Sequence, residues 1–175
     1  MTKNRIDAKL EQCKAKGKKA LITFITAGDG GYDCTEKAVL EMAENGADLI
    51  ELGVPFSDPI AEGPVIQRAS ERALINGTTL VGIFDLVRRL RKKTDVPLLL
   101  MMYLNTIFCY GTDRFFAECR ESGIDGVIVP DIPYEEKDEI QGSADKYHVH
   151  NISLVTPASE DRIQMIASEA TGFLY

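Results

Sequence analysis

Short apolar runs recur along the chain with helical stretches between them. They occupy residues 21–25, 48–52, 96–102, 126–129 and 151–155, and residues 172–175 begin a sixth. Each run is rich in Val, Ile and Leu and lacks the polar–apolar alternation of a strand with one wet face. Such runs fit strands buried on both faces, as in a parallel sheet. The intervening stretches have helical spacing. In residues 33–45, Ala38, Val39, Met42 and Ala43 share one face, and Gly46 follows as a C-cap. Residues 112–122 repeat the design with Phe115, Phe116 and Cys119, then Gly123. Residues 135–146 and 159–170 predict two more helices, with Ser159 as an N-cap. Residues 1–16 predict a helix before the first strand. Residues 65–75 and 79–93, split by Gly77, predict two between the second and third strands.

Repeated strand–helix units imply an α/β fold with right-handed crossovers. Two architectures compete. A doubly wound sheet would carry a glycine-rich turn after its first strand, and Gly28-Asp29-Gly30-Gly31 stands there. That turn lacks the G-x-G-x-x-G spacing that opens a dinucleotide-binding helix. Even spacing, and polar residues at the C-terminal end of every strand, favour a (β/α)8 TIM barrel instead.

The length of 175 residues fits one domain, read as a barrel domain over residues 1–175. Hydrophobic residues make up 45% and charged residues 27%, enough for a packed core. The net charge of -7 argues against nucleic acid, whose phosphates call for Lys and Arg. The basic run Arg88-Arg89-Leu90-Arg91-Lys92-Lys93 reads as the solvated, dipole-favoured end of an amphipathic helix. Cys13, Cys34, Cys109 and Cys119 form no C-x-x-C pair and no metal-ligand spacing with His, so they read as isolated thiols in a reducing compartment. The polar, Lys-rich start has no signal-peptide core, and no apolar run approaches the ~20 residues of a membrane helix. A cytoplasmic protein is expected.

In a barrel the chemistry belongs at the C-terminal strand ends. These bear Phe24, Thr26 and Asp29, then Glu51, then Tyr103 and Asn105, Asp131, Thr156 and Tyr175. Glu51 lies between Ile50 and Leu52, where an ionised carboxylate is costly and burial raises its pKa towards neutrality. Two readings of it stand side by side: a proton-transfer residue, and a strand-end Glu turned outward onto a Lys. The loop at residues 53–63 adds Asp58 and Glu62. The second of these, Glu62, is expected either to meet Glu51 over a substrate and divide acid from base roles, or to belong to a solvated acidic loop. His148 and His150 share one side of a strand, but no third metal ligand is near, so they read as ordinary strand-end histidines and no metal is expected. Asp131 either binds substrate or pins its turn.

These residues resemble a known family. Phe24-Ile25-Thr26-Ala27-Gly28-Asp29 is similar to the first-strand motif of the tryptophan synthase alpha subunits. Glu51-Leu52-Gly53-Val54-Pro55-Phe56-Ser57-Asp58-Pro59 resembles their most specific signature, which Ala61, Gly63, Pro64, Ile66 and Gln67 continue. Met102-Tyr103, Asn105, Pro130-Asp131-Ile132-Pro133, Thr156-Pro157, Arg162 and Gly172-Phe173-Leu174-Tyr175 follow in order. The resemblance implies a (β/α)8 barrel and a lyase of tryptophan biosynthesis. Such an enzyme cleaves indole-3-glycerol phosphate to indole and glyceraldehyde 3-phosphate. It implies Glu51 as the main acid/base residue, Glu62 as the second carboxylate near the indole N–H, and Phe24, Tyr103 and Tyr175 around the indole, with Asp131 in the substrate site. Asp58 and Pro59 would face a beta subunit in an alpha2beta2 assembly. The alpha subunit would use no cofactor, pyridoxal phosphate belonging to the beta partner. An inactive piece of such a subunit, or another phosphate-handling barrel isomerase or aldolase, is the alternative. No strand-end Lys is placed for a Schiff base.

Two positions depart from the pattern. Glu62 stands where the family usually has Asp, which lengthens the reach by ~1.5 Å, a misplacement on the scale that costs ~100-fold in rate. Gly30 stands where the family has Pro. A whole barrel takes ~250 residues, so about six β/α units are expected here. Strands seven and eight, their phosphate-binding loops and the mobile loop after strand six would lie beyond the C-terminal end.

Overall fold

A computed structural model describes residues 3–175. Helix α1 (Arg5–Ala15) starts where the Asn4 side chain accepts a hydrogen bond from the Ile6 N–H. Met1 and Thr2, included in the helix expected over residues 1–16, lie outside the described residues. The chain then alternates as expected: β1 (Ile22–Thr26), α2 (Tyr32–Glu44), β2 (Leu49–Gly53), α3 (Pro64–Ile75), α4 (Leu80–Arg91) and β3 (Leu98–Met101). It continues through α5 (Leu104–Tyr110), α6 (Thr112–Ser122), β4 (Gly126–Ile128), α7 (Asp138–Tyr147), β5 (His150–Ile152) and α8 (Ile163–Glu169).

All strand pairs are parallel, and the sheet order is β1-β2-β3-β4-β5. Strictly sequential order is the signature of a barrel wall; a doubly wound sheet reverses at a switch point. Alternation within strands separates two cores. Ile50, Leu52, Leu98, Leu100 and Val127 pack outward against Val39, Phe84, Val87, Phe115 and Phe116 of the helices. Leu49, Leu99, Ile128 and Ile152 face inward, where Ile6 and Leu10 of α1 close the N-terminal end. Gly126 makes room for that plug: a Cβ there would stand 3.0 Å from Ile6 Cδ1. The register stacks the inward residues in layers. Thr26, Gly53, Met101, Ile128 and Ile152 form the upper one, with Phe24, Glu51, Leu99, Gly126 and His150 beneath.

Three features differ from the sequence reading. Helix α5 was not expected, being short and following β3 with no glycine or proline to mark its start. The stretches expected as single helices at residues 135–146 and 159–170 each open with a 3-10 turn, Tyr134–Glu136 and Pro157–Arg162. Thr156, not Ser159, caps the second, and the two side chains form a capping box. The sixth strand begins where expected, with a parallel bridge from Ser153 to Leu174.

The basic run closes α4 on a largely exposed face, as expected, and several of its cations are ion-paired there. Arg89 pairs with Asp33 at 3.0 Å, Lys93 with Glu36 at 2.7 Å, and Arg88 with Asp85 at 2.8 Å and with Glu118. Arg91 turns inward onto Asp125 at 2.7 Å. Asp125 also accepts from Arg5 Nη1 at 2.9 Å and the Leu98 N–H at 2.9 Å, which fastens α1 and α4 to the N-terminal rim. Burial pulls the Arg91 pKa down to about 10 despite the attraction of Asp125, leaving it charged at neutrality.

Candidate active site

Strand β2 places Glu51 on the inward face, two residues above Leu49 of the inner core. Its neighbours in register are Phe24 and Leu99, both apolar. The residue is 4% exposed, and among the described residues no donor is bonded to its carboxylate. Burial pushes its pKa up to about 7, because removing water penalises only the charged form. The outward Glu paired with a Lys is therefore not what the fold makes of this residue.

Above Glu51 a cleft of about 280 Å³ opens at the C-terminal strand ends. Phe24, Thr26, Gly53, Met101, Glu62 and Tyr175 line it. The Phe24 ring lies over Gly53: a Cβ at position 53 would be 2.5 Å from Phe24 Cζ. The glycine thus lets an aromatic ring form one wall. Tyr175 also lines the cleft, and its phenol pKa is raised by burial and then by the charge of Glu51. An apolar slot with an acid beneath it can hold a flat aromatic ligand and move a proton to or from that ligand.

The loop after β2 brings Glu62 to the cleft rim. Tyr103, which ends the β3 segment, sits behind this loop and is 4% exposed. Its phenol oxygen accepts the Ile60 and Ala61 N–H groups, each at 2.9 Å, and its proton goes to the Glu62 carboxylate. Burial, then the Glu62 bond, raises the phenol pKa. Phe56 packs on the Tyr103 ring with centroids 5.1 Å apart. Asp58, exposed, and Pro59, half-buried, lie farther out, along a shallow depression shared with Phe56, Gln67 and Leu74.

The structure thus brings Phe24, Glu62 and Tyr175 to one cleft with Glu51 beneath it. Tyr103 stands behind the loop rather than on the wall. Asp131 stands apart: both its oxygens accept the Leu104 N–H, at 2.9 and 3.2 Å, holding the first turn of α5. His150 pairs with Asp7 of α1 at 3.0 Å, and His148 closes α7 in a left-handed conformation. Among the described residues no group of three or more His, Cys, Asp or Glu side chains is placed to hold a metal, and no helix is long and apolar enough to cross a membrane. Sequence reasoning missed the fork from Arg72 to Asp29, 2.7 Å in both arms, which ties the β1 loop to α3. It also missed the Tyr103 contacts; both link residues more than 40 positions apart, beyond any local pattern.

Comparison with known proteins adds a lineage to this geometry. The sequence model of the "Tryptophan synthase alpha chain" family matches residues 10–175. The tryptophan synthase alpha chain of Caldanaerobacter subterraneus subsp. tengcongensis is 49% identical over 172 residues, 98% of this chain and 66% of that protein. That of Clostridium kluyveri is 50% identical over 172 residues, 98% of this chain and 65% of its own length. The chain therefore spans just under two thirds of the length of these relatives. Among solved structures, the alpha subunit of Legionella pneumophila str. Paris superposes with a TM-score of 0.95 at 43% identity, covering 99% of this chain and 67% of that one. A chain of the tryptophan synthase a2b2 complex from Pyrococcus furiosus gives 0.84 at 38% identity, covering 89% and 67%.

Proposed function

The chain belongs to the tryptophan synthase alpha chain family, and on that premise we propose that it serves a lyase reaction. The reaction is retro-aldol cleavage of indole-3-glycerol phosphate into indole and glyceraldehyde 3-phosphate. The observation that carries this reading is Glu51: a buried, unpartnered carboxyl with a pKa near 7, directly beneath a slot walled by Phe24 and Tyr175. At neutral pH such a group exists in both protonation states, as a residue that must give one proton and take another requires.

The indole enters between Phe24 and Tyr175. Glu51 delivers a proton to indole C3, which leaves positive charge on the ring nitrogen. Glu62, at the rim, stabilises that charge through the N–H. The hydroxyl on the adjacent glycerol carbon then loses its proton, the carbon–carbon bond breaks, and its electron pair returns to the ring. The ring nitrogen is neutral again and the aldehyde departs. The proton gained at C3 and the proton lost from the hydroxyl balance, so Glu51 can act in both steps. Asp58 and Pro59 point to docking of a beta subunit in an alpha2beta2 assembly, the arrangement named for the Pyrococcus furiosus relative. The alpha reaction as drawn needs no cofactor; pyridoxal phosphate is assigned to the beta partner. The setting is the cytoplasm.

Glu51→Gln tests the reading. It keeps the shape and removes the proton exchange, so indole release should fall ~100-fold or more, while the far-ultraviolet circular dichroism stays that of the wild type. Turnover within a factor of a few of wild type would remove Glu51 from the chemistry.

A further inference from the structure

The phenol of Tyr103 has all its bonding capacity committed, and none of it to the cleft space. Its oxygen accepts two loop N–H groups, from Ile60 and Ala61 at 2.9 Å each, and its single proton is donated to Glu62. The ring is fixed independently, by the start of α5 and by Phe56 at 5.1 Å. From the other side, Gln67 Nε2 donates to the Glu62 carbonyl at 2.9 Å, so α3 holds the backbone of the residue whose side chain Tyr103 holds. The loop would otherwise be free there: Ile60 is 81% exposed and Ala61 is exposed.

We propose that Tyr103 is a positioning residue, a latch that holds the loop after β2 closed and presents Glu62 to the cleft as a hydrogen-bond acceptor. The direction of the bonds decides the second part. With both loop N–H groups pointing at the phenol oxygen, the phenol proton has only Glu62 to go to. The two carboxyls are thereby set apart by their surroundings. No donor is bonded to the Glu51 carboxyl, whereas one Glu62 oxygen is held by the Tyr103 phenol at the rim of the cleft. This deepens the lyase reading and its rate consequences rest on it, but the latch is also visible without turnover.

The test uses the full chain as wild type, Tyr103→Phe, Glu62→Gln and the double variant. Tyr103→Phe removes one oxygen and leaves the ring against Phe56. Amide hydrogen exchange at Ile60 and Ala61 reads the latch directly and should quicken about tenfold in Tyr103→Phe, with the β3 amides unchanged. Unaltered exchange at the loop, or a rise throughout the core, would overturn the proposal. For indole release, Tyr103→Phe should lower kcat about tenfold with KM within about twofold, and should lower it no further in the Glu62→Gln background. An equal loss in both backgrounds would mean that the phenol acts on its own, and would equally overturn it. A wild-type chain that releases no indole would sink the lyase reading, and the exchange at Ile60 and Ala61 would still decide the latch.

Discussion

Replacing Glu51 by Gln should stabilise the protein, and by an amount that depends on pH. The fold moves the Glu51 pKa from 4.5 to about 7, so the folded chain binds this proton more tightly than the unfolded chain does. Below pH 4.5 the carboxyl is protonated in both states and its pKa adds nothing. As pH rises from 4.5 to about 7, the unfolded state gains the freedom to ionise while the folded state resists, and stability is lost. Above about 7 the loss is complete. A shift of that size corresponds to about 3 kcal/mol, at about 1.4 kcal/mol for each pKa unit. Gln stays neutral throughout, and its burial cost resembles that of the protonated acid. The informative quantity is therefore the difference in unfolding free energy between variant and wild type, read from urea titrations at several pH values from about 4.5 to about 8. Other titrating groups cancel in that difference. It should grow by about 3 kcal/mol across the range in favour of Gln. A difference that stays flat within about 0.5 kcal/mol would mean that water or a donor reaches the carboxylate in solution, and the poised-acid argument would fall with it.

Gly53→Ala should crowd the slot, because the new methyl would press on the Phe24 ring at 2.5 Å. Such overpacking typically costs about 1–3 kcal/mol, and calorimetric affinity for indole should drop about tenfold; unaltered affinity would mean that Phe24 is not a wall of the binding slot. Asp125→Ala should destabilise the chain by about 3–5 kcal/mol in urea unfolding, the usual effect of stranding a buried charge, because Arg91 and the Leu98 N–H lose their partner. A loss under about 1 kcal/mol would mean that both groups are rehydrated in the variant.

The strand–helix alternation was legible because it is local. Each strand is a run of Val, Ile and Leu, and each main helix has a glycine or polar cap within a residue or two of its observed end. The barrel order followed from the same spacing, and Glu51 stood out because a carboxyl inside an apolar run has to be explained. What the sequence left hidden depends on long-range geometry. Asp131 reads as either a substrate ligand or a turn pin, and no local pattern shows the Leu104 N–H, 27 positions away, between its oxygens. No local pattern shows that the Tyr103 phenol is met by a loop 41–43 residues away. Arg91 looks like one more solvated cation among six neighbouring positions until Asp125 draws it inward. Helix α5 escaped for a local reason, since its seven residues carry no cap box and no glycine start.

Glu51 and Asp125 show why burial alone does not mark a functional acid. Both are 4% exposed, and both sit against strands of the same wall. Asp125, at the N-terminal end, is met by Arg5, Arg91 and the Leu98 N–H. Three donors offset the loss of hydration and tie both carboxylate oxygens to the fold. Glu51, at the other end, meets Phe24 and Leu99 and no donor, and the unrelieved cost appears as a pKa near 7. In a (β/α)8 barrel the N-terminal face serves stability and the C-terminal face serves chemistry, and this pair of acids realises that division with one residue type at each end. The same asymmetry makes the two substitutions opposite in sign. Neutralising Asp125 removes a partner from charges that need one, whereas neutralising Glu51 relieves a charge that has none.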